Sequence, residues 1–323
     1  MAIARVEAPA VEQAVESALA GSSRVVLAVS GGMDSMVLLA SAAHLPARVR
    51  EKRMIVATFD HGTGRAAGRA AALVARESAR LGIPCVSGRA ETVGTREEEW
   101  RRARWTFLQQ VAARRSASVV TAHTLDDQIE TVFMRILRDA GPRGLAGLYA
   151  ESEVVRPFLA LCRAAIAGYA AANRVKFLED PSNADRKHLR NRIRLDHLPS
   201  IARRNPGFAE ELLTLARASA DWRRSLEELA GSVDPTPAVD GALRIDRSSL
   251  RGFDNESLRV LWPALAARAS VVMDRRGTHR AAEFTIRGAT GGTIQLSGGV
   301  EIVMRRDHML LRRWREPVGA RSS

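Results

Sequence analysis

Six consecutive residues near the start of the chain, Ser30-Gly31-Gly32-Met33-Asp34-Ser35, have the composition of a phosphate-binding loop. An apolar run leads into them, and a helical pattern follows at once. Glycines let a backbone approach a phosphate closely and accept positive φ, while hydroxyls and the amides of a helix start can hold phosphate oxygens. Asp34 would repel phosphates unless a cation lies between them, so it indicates Mg²⁺. We call Ser30–Ser35 the phosphate loop.

A second group of polar residues, His123, Asp126, Asp127, Glu130 and Thr131, lies where another apolar run ends and a helical pattern begins. Asp127, Glu130 and Thr131 are three and four residues apart and therefore share one helix face. Asp126 or Asp127 alone could simply cap the helix, but capping requires neither His123 nor Glu130. Two acidic groups that each follow a predicted strand indicate a metal–phosphate site. The phosphate loop is not a Walker A motif, because no Gly-Lys-Ser/Thr follows at the required spacing.

The elements that must position these residues follow from hydrophobic patterning. Short apolar runs predict four strands, and the amphipathic stretches between them predict crossover helices. The strands are Arg24–Val29, Met54–Phe59, Ile83–Val86 and Ser118–Ala122, and the helices are Met36–Ala43, Ala66–Leu81, Arg96–Ala113 and a stretch after His123. Such an alternation implies an α/β fold, a Rossmann-like parallel sheet with helices on both faces. Ligands of these sheets bind at the carboxyl ends of the strands, where both polar groups fall.

The second half of the chain predicts a different organisation. Residues 160–218 are mainly helical, with breaks at Asp180-Pro181-Ser182-Asn183 and Asn205-Pro206-Gly207, and Gly231–Gly241 is typical of a linker or a long loop. We then expect a helix over Asn255–Ala267, strands over Thr293–Leu296, Val300–Arg305 and His308–Arg312, and a turn at Ser297-Gly298-Gly299. The predicted domains are therefore a catalytic α/β domain over residues 1–205 and a small C-terminal α/β domain over residues 206–323.

The charge balance favours a polyanionic partner. The 323 residues carry a net charge of +13, and only three of the 49 basic residues are lysine; arginine suits bidentate contact with phosphate. The two cysteines, Cys85 and Cys162, form no Cys-x-x-Cys pair, which removes the usual signatures of zinc, iron–sulfur and dithiol sites. No apolar run approaches the roughly 20 residues that span a bilayer, and residues 1–20 lack a signal-peptide pattern. We expect no membrane association and a cytoplasmic location.

Together the motifs resemble those of the PP-loop ATP pyrophosphatases and, within them, the tRNA(Ile)-lysidine synthases. The hallmarks are the phosphate loop, Asp60-His61-Gly62 after the second strand, and the helix start within His123–Thr131. Further blocks typical of the family are Glu97-x-x-x-Arg101-x-x-Arg104-Trp105, Arg143–Gly147, Arg156-Pro157-Phe158, Asp180–Asn183 and Arg190–Arg194. The matching blocks occur in order over most of residues 24–200.

The resemblance implies a two-step reaction with ATP and Mg²⁺. ATP adenylates the C2 carbonyl oxygen of the wobble cytidine of an isoleucine tRNA with a CAU anticodon, which releases pyrophosphate. The side-chain amine of L-lysine then displaces AMP to form lysidine. Adenylation needs a cation and donors on the departing pyrophosphate rather than a covalent nucleophile. The wobble base must leave its stack to expose C2.

The resemblance also implies roles for individual residues, all named by their positions in this sequence. The catalytic residues would be Asp34, Arg104, His123, Asp127 and Glu130, with Asp34 and Asp127 as metal ligands. ATP would be bound by Ala28, Ser30, Gly31, Gly32, Met33, Asp34, Ser35, Thr58 and His61. Transfer RNA would be bound by Arg101, Arg190, Asn191 and Arg194, although Arg190 and Arg194 could instead support the ATP site. A homodimer is left open.

Three other interpretations compete with this one. A tRNA thiolase of the same superfamily commonly uses paired cysteines or an iron–sulfur cluster, which Cys85 and Cys162 do not supply as a motif. A PP-loop amidotransferase or ligase for a small molecule predicts a glutaminase domain ahead of the phosphate loop, which begins only at Ser30. A basic nucleic-acid-binding module without catalysis would leave the carboxylates of Asp34 and Asp127 unexplained, because carboxylates repel phosphate.

Overall fold

The computed structural model of the chain describes residues 8–46, 54–62, 64–90, 97–180, 184–238, 241–297 and 299–314. The chain forms two compact units, Met1–Ala220 and Asp221–Ser323, and the division falls within the helix Phe208–Ser232. The domain boundary at 205/206 stays a prediction. Across the described ranges, every helix is too short or too polar to cross a membrane.

The first unit is built on a four-stranded parallel sheet with the strand order β3-β2-β1-β4. The strands are β1 Val25–Ala28, β2 Met54–Asp60, β3 Cys85–Arg89 and β4 Ser118–Val120. Neighbours β1 and β4 are separated in sequence by two other strands, so the direction of winding reverses between them. Ligands of doubly wound sheets bind in the crevice outside such a reversal. The expected parallel α/β fold is confirmed, and both polar groups of the sequence follow strands at the reversal.

Helices cover both faces of this sheet. They are α1 Ala8–Leu19, α2 Met33–Ala43, α3 Arg65–Arg80, α4 Glu97–Ala113, α5 Leu125–Leu137, α6 Pro142–Leu145 and α7 Arg163–Ala172, with a 3-10 turn at Gly147–Tyr149. Three short pieces then run without a break, namely Leu189–Arg192, a π-helical turn Ile193–His197, and Leu198–Arg204; we call them the 189–204 segment. Helix α8, Phe208–Ser232, follows the expected break at Asn205-Pro206-Gly207.

Alternate residues of β1 enter two separate apolar cores. Val25 and Leu27 pack with residues of α1 and α2 on one face, whereas Val26 packs with Leu108 and Val111 of α4 on the other. This alternation is the period of two that a strand imposes on its side chains. Because both faces are covered, β1 appears in the sequence as a continuous apolar run.

The second unit has its own core, formed by an antiparallel sheet, two helices and the last part of α8. The strand order is β5-β6-β9-β8-β7. The elements are β5 Thr236–Pro237, β6 Leu243–Asp246, a 3-10 turn Arg247–Leu250, α9 Asn255–Arg268, α10 Arg275–Arg287, β7 Thr293–Leu296, β8 Val300–Met304 and β9 His308–Arg313. Trp262 is fully buried in this core, and its indole N–H donates a hydrogen bond to Thr285 Oγ1 at 2.9 Å.

The structure differs from the sequence-based expectations in several places. Within the predicted linker or long loop over residues 231–241, the first two residues belong to α8, and Thr236–Pro237 form β5, which pairs with β6. Helices α1 and α10 and strand β6 were not predicted; α10 is rich in charged residues, which hides its narrow buried face of Ala281 and Ala282. Parts of other predictions lie outside the described residues, namely Val239, Asp240, Pro181–Asn183, Gly298 and the side chain of Glu97.

Candidate active site

The phosphate loop connects β1 to α2 and passes close to α3. Gly31 has a φ of +91°, and a Cβ added there would lie 2.9 Å from Ala70 Cβ. The Leu178 N–H donates to the Gly31 carbonyl at 2.9 Å. Only glycine combines a left-handed backbone with so close an approach. Gly31 therefore determines the path of the loop as it leaves the carboxyl end of β1.

The hydroxyls of Ser30 and Ser35 meet across the loop. Their Oγ atoms are 3.1 Å apart, the Ser30 N–H donates to Ser35 Oγ at 3.1 Å, and the Ser35 hydroxyl donates to the Gly32 carbonyl at 2.9 Å. Gly32 is the N-cap of α2 and supplies no side-chain cap, and Met33 is the first helical residue. The first-turn amides of a helix without a cap are suited to an anion.

Asp127 closes a capping box at the start of α5. The Thr124 N–H and hydroxyl donate to Asp127 Oδ2 at 2.8 and 2.9 Å, and the Asp127 N–H donates to Thr124 Oγ1 at 3.4 Å. The N-cap of α5 is Thr124, and Asp127 completes the capping box with one of its two oxygens. The other oxygen, Oδ1, accepts hydrogen bonds from arginines.

Three carboxylates and three guanidinium groups converge beside this helix start. Glu130 is almost fully buried; its Oε1 accepts from Arg194 Nε at 2.6 Å and its Oε2 from Arg190 Nε at 2.7 Å. Arg190 and Arg194 also reach Asp127 Oδ1, at 3.1 and 3.5 Å. Buried charges are tolerated only when they are paired in this way. We call the six residues the carboxylate–arginine cluster: Asp34, Asp127, Glu130, Arg163, Arg190 and Arg194.

The arginines keep two of these carboxylates ionised. Burial acts to raise the pKa of Asp127, but Arg190, the Thr124 backbone and Arg163 outweigh it and hold that pKa below its ordinary value. Burial also acts to raise the pKa of Glu130, and the hydrogen bond from Arg194 and the charge of Arg190 bring it below the ordinary value. Both groups are therefore anionic at neutral pH.

Asp34 has a different environment from the other two carboxylates. Burial raises its pKa, and the guanidinium of Arg163 only partly offsets this. Its buried Oδ1 has no hydrogen-bond partner in the described part of the chain. An oxygen in that condition fits a hard cation such as Mg²⁺, which takes one or two carboxylates together with phosphates. No group of three or more potential metal-ligating side chains occurs among the described residues.

His123 lies between β4 and α5 with its Nδ1 2.8 Å from Thr121 Oγ1. Burial lowers the pKa of His123 to about 4, and the positive charge of Arg190 acts in the same direction. The imidazole is therefore neutral at neutral pH.

Aromatic rings collect at the carboxyl end of β2. The rings of Phe59 and His61 are 5.1 Å apart and edge to face, and Trp100 of α4 lies 6.5 Å from His61. Thr58 is buried within the strand. Burial and then the charge of Arg104 lower the pKa of His61, and its buried Nδ1 has no partner within the described ranges. Neutral aromatic surface with an unsatisfied ring nitrogen is suited to a nucleoside.

Known proteins match this chain over most of its length. Residues 5–201 match the family model of the PP-loop domain. The chain is 40% identical over 263 residues to a tRNA(Ile)-lysidine synthase from Methylobacterium sp. (strain 4-46), which covers 75% of this chain and 73% of the relative. It is 32% identical over 321 residues to one from Salinispora arenicola (strain CNS-205), which covers 92% and 93%. The chain belongs to the tRNA(Ile)-lysidine synthase family.

A solved structure supports the fold. The U34-tRNA thiolase NcsA from Methanococcus maripaludis, with its 4Fe-4S cluster, matches 65% of this chain and 76% of its own with a TM-score of 0.51 and 16% identity. That likeness concerns the fold alone. The resemblance to the tRNA(Ile)-lysidine synthases is confirmed by the sequence relatives, which support the thiolase interpretation less.

In this family member the residues predicted to bind tRNA fall into two places. Arg101 is exposed on α4, as is Arg104, which the sequence predicted to be catalytic. Arg190 and Arg194 instead hold Glu130 from the 189–204 segment. Asn191 is buried, and its Nδ2 donates to the Asp185 carbonyl at 2.8 Å. Contact of these residues with tRNA stays a prediction.

Arg163 is the member of the cluster that sequence reasoning missed. It is the first residue of α7, and its side chain reaches back to carboxylates of α2 and α5. A lone arginine ahead of an apolar helical pattern carries no local sign of such a role. The available signal was indirect: three acidic side chains predicted at one sheet edge require nearby cations.

Gln128 contacts the loop that contains the family motif Arg143–Gly147. Its Nε2 donates to the Ala146 carbonyl at 2.9 Å, and its Oε1 accepts from the Leu148 N–H at 2.6 Å. A Cβ at Gly147 would lie 2.5 Å from Gln128 Oε1. The glycine at the end of Arg143–Gly147 therefore makes room for the amide that fixes this loop against α5.

Proposed function

We propose that this chain ligates L-lysine to C2 of the wobble cytidine in an isoleucine tRNA with a CAU anticodon. One observation carries the proposal. Asp34 at the phosphate loop and Asp127 and Glu130 at the start of α5 converge on a single guanidinium, that of Arg163. A phosphate site and a cation-binding carboxylate pair thus adjoin, as a reaction that joins an activated base to an amine requires.

The phosphate loop and the end of β2 would bind ATP. The hydroxyls of Ser30 and Ser35 and the first amides of α2 would hold the pyrophosphate, while His61 and its aromatic neighbours would border the adenosine. Asp34 would hold Mg²⁺ through its unpartnered oxygen, and the ion would neutralise charge on the departing pyrophosphate. Both oxygens of Asp127 already accept hydrogen bonds, so we assign Asp34 as the principal ligand.

The second step takes place beside the cluster. In the first step the C2 oxygen attacks the α-phosphorus and pyrophosphate departs; in the second the lysine amine attacks C2, and AMP leaves with the former C2 oxygen. Asp127 and Glu130 are buried anions that would hold the lysine ammonium. His123 is a neutral imidazole and would line the reacting cytidine, while the proton that the ammonium must lose before its nitrogen can attack would pass to solvent.

The tRNA would contact exposed arginines. Arg101 and Arg104 of α4 are one set. In the second unit, Arg259 of α9 and Arg275, Arg276 and His279 of α10 line a concave surface. Arginine is the preferred side chain for phosphate contacts, and these positions support a tRNA-binding role for the C-terminal domain. Because tRNA, lysine and ATP are cytoplasmic, we place the reaction there; the homodimer stays a prediction.

The two cysteines lie on separate elements of the first unit. Cys85 is the first residue of β3 and pairs with Val56 of β2, whereas Cys162 is the N-cap of α7. Both are free thiols, and they form no Cys-x-x-Cys pair in the sequence. The thiolase alternative therefore lacks the paired-cysteine motif that would support it.

A single incubation tests the proposal. Protein, ATP, Mg²⁺ and L-lysine are combined with an isoleucine tRNA transcript bearing a CAU anticodon, and the wobble nucleotide is analysed by mass. We expect a lysine adduct that disappears when U replaces the wobble cytidine. Pyrophosphate release that ignores lysine and requires a sulfur donor would instead support the thiolase.

A further inference from the structure

Arg163 is anchored to α5 through its backbone. Its N–H donates to Asp126 Oδ2 at 2.6 Å, and its side chain is only 23% exposed. The start of α7 is therefore fixed beside the carboxylates through its backbone, independently of where the Arg163 side chain lies. Neither the family motifs nor the proposed reaction assigns this residue a role.

The guanidinium of Arg163 is held less closely than those of its neighbours. Its distances are 3.1 Å to Asp127 Oδ1 and 3.5 Å to both Asp34 Oδ2 and Glu130 Oε1. Arg190 and Arg194 approach Glu130 to 2.7 and 2.6 Å. Among the cluster arginines, Arg163 is also the one paired with Asp34 as well as with Asp127 and Glu130. It spans the boundary between the phosphate loop and the carboxylate pair.

Charge balance makes this position significant. The three guanidinium groups already match the three carboxylates of the cluster, and the neighbouring carboxylate of Asp126 accepts from the backbone N–H at the start of α7. A lysine ammonium would be a fourth cation in a largely buried site, which is unfavourable unless one cation leaves. Arg163 makes the longest contacts of the three arginines with Glu130 and is the one that also reaches Asp34. A phosphate at the adjacent loop could accept two parallel hydrogen bonds from its planar guanidinium.

We propose that the Arg163 guanidinium occupies the substrate-ammonium position before ATP binds and transfers to the ATP phosphates afterwards, so that ATP opens the lysine site. This inference rests on the proposed function of the same site. It makes the binding of ATP and lysine mutually favourable, and the coupling is reciprocal by thermodynamic necessity.

Calorimetric titration of lysine measures this coupling without catalysis. The protein is titrated alone and with Mg²⁺ plus an ATP analogue whose α–β bridging oxygen is replaced by methylene. For the wild type we expect lysine to bind about 10-fold more tightly with the analogue. In Arg163→Met no guanidinium occupies the ammonium position, so lysine should bind without the analogue nearly as tightly as with it, within about 2-fold. The analogue itself should bind this variant more weakly than it binds the wild type.

Two further variants control the comparison. Arg163→Lys retains a cation and should keep part of the coupling. Arg114→Met changes an exposed arginine between α4 and β4, at the amino edge of the sheet, and should keep all of it. Arg163 is a positioning residue, and this split between lysine and analogue affinities would not arise from a general structural defect.

The inference is overturned if the wild type binds lysine equally with and without the analogue, if Arg163→Met keeps the full coupling, or if that variant binds no lysine under either condition. The wild-type pair of titrations decides the first point even if Arg163→Met fails to fold. Failure of the proposed function is a separate result, namely no lysine adduct on the tRNA from the wild-type protein.

Discussion

The phosphate loop and the carboxylate–arginine cluster meet at Asp34 but are built differently. The loop takes its shape from six consecutive residues, with Gly31 at a positive φ and a serine at each end. The cluster brings together side chains from residue 34 to residue 194. A loop of this kind acts through backbone amides, whereas each member of the cluster depends on charges supplied by distant parts of the chain. Damage to the loop should therefore impair chemistry, and damage to the cluster should also unfold the protein.

The largest effect on stability is expected from Glu130→Gln. The substitution removes the anion that pairs with Arg190 and Arg194 and leaves two partly buried guanidinium groups undercompensated. We expect the free energy of unfolding to fall by about 3 kcal/mol or more. Urea unfolding combined with hydrogen exchange at α5 measures it. Glu153→Gln, at an exposed position, should change it by less than about 0.5 kcal/mol, and equal losses in the two variants would contradict a stabilising cluster.

Asp34→Asn should separate chemistry from stability. Because burial raises the pKa of Asp34, its charge opposes folding above the ordinary carboxyl pKa, and the amide should leave the free energy of unfolding unchanged or higher. The rate of AMP formation should fall about 100- to 1,000-fold, since charge on the departing pyrophosphate loses a counter-charge. Chromatography of AMP and filter binding of tRNA provide the two readouts. Near wild-type turnover would remove Asp34 from the site.

The pH dependence of stability should reveal His123. Its folded-state pKa of about 4 lies below the ordinary value of 6.5, so the unfolded chain binds this proton first as the pH falls. The contribution of the neutral His123 imidazole to the free energy of unfolding is complete above pH 6.5. It falls by on the order of 3 kcal/mol as the pH is lowered from 6.5 to 4. Asp127 and Glu130 have lowered pKa values, so their contribution is lost only at more acidic pH. In His123→Gln the free energy of unfolding, measured with urea, should depend less on pH between pH 4 and 6.5 than it does in the wild type. An unchanged pH dependence in that range would mean that His123 titrates normally.

The smallest effect is expected from Gly31→Ala. The added Cβ must accept a φ of +91° and a 2.9 Å approach to Ala70, which should cost about 1–3 kcal/mol of local strain and weaken binding of the methylene ATP analogue. Gly82→Ala is the control: Gly82 has a φ of +69°, but a Cβ added there would have no atom within 4 Å. This variant therefore measures the cost of the positive φ without a steric clash. If both variants bound the analogue like the wild type, the loop path would not matter for the nucleotide.

Sequence patterns were sufficient for the elements whose signal is local. The apolar runs that form β1 and β2 and the residues at their ends all follow from short-range periodicity, as does the shared face of Asp127 and Glu130. Helix α10 and strand β6 were missed because their buried faces are narrow or short. Near the end of α5 the apolar side chains of Ile136 and Leu137 are exposed, since the core ends before the helix does.

By itself the sequence determined the phosphate loop, the parallel sheet that presents it, and the residue types of the two acidic groups. Tertiary structure alone decided which cations those acids meet: Arg163 arrives from α7, and Arg190 and Arg194 arrive from the 189–204 segment. The physical reason is one of range. Backbone conformation and side-chain periodicity act over a few residues, whereas the energy of a buried charge depends on every charge brought within a few ångströms by the completed fold.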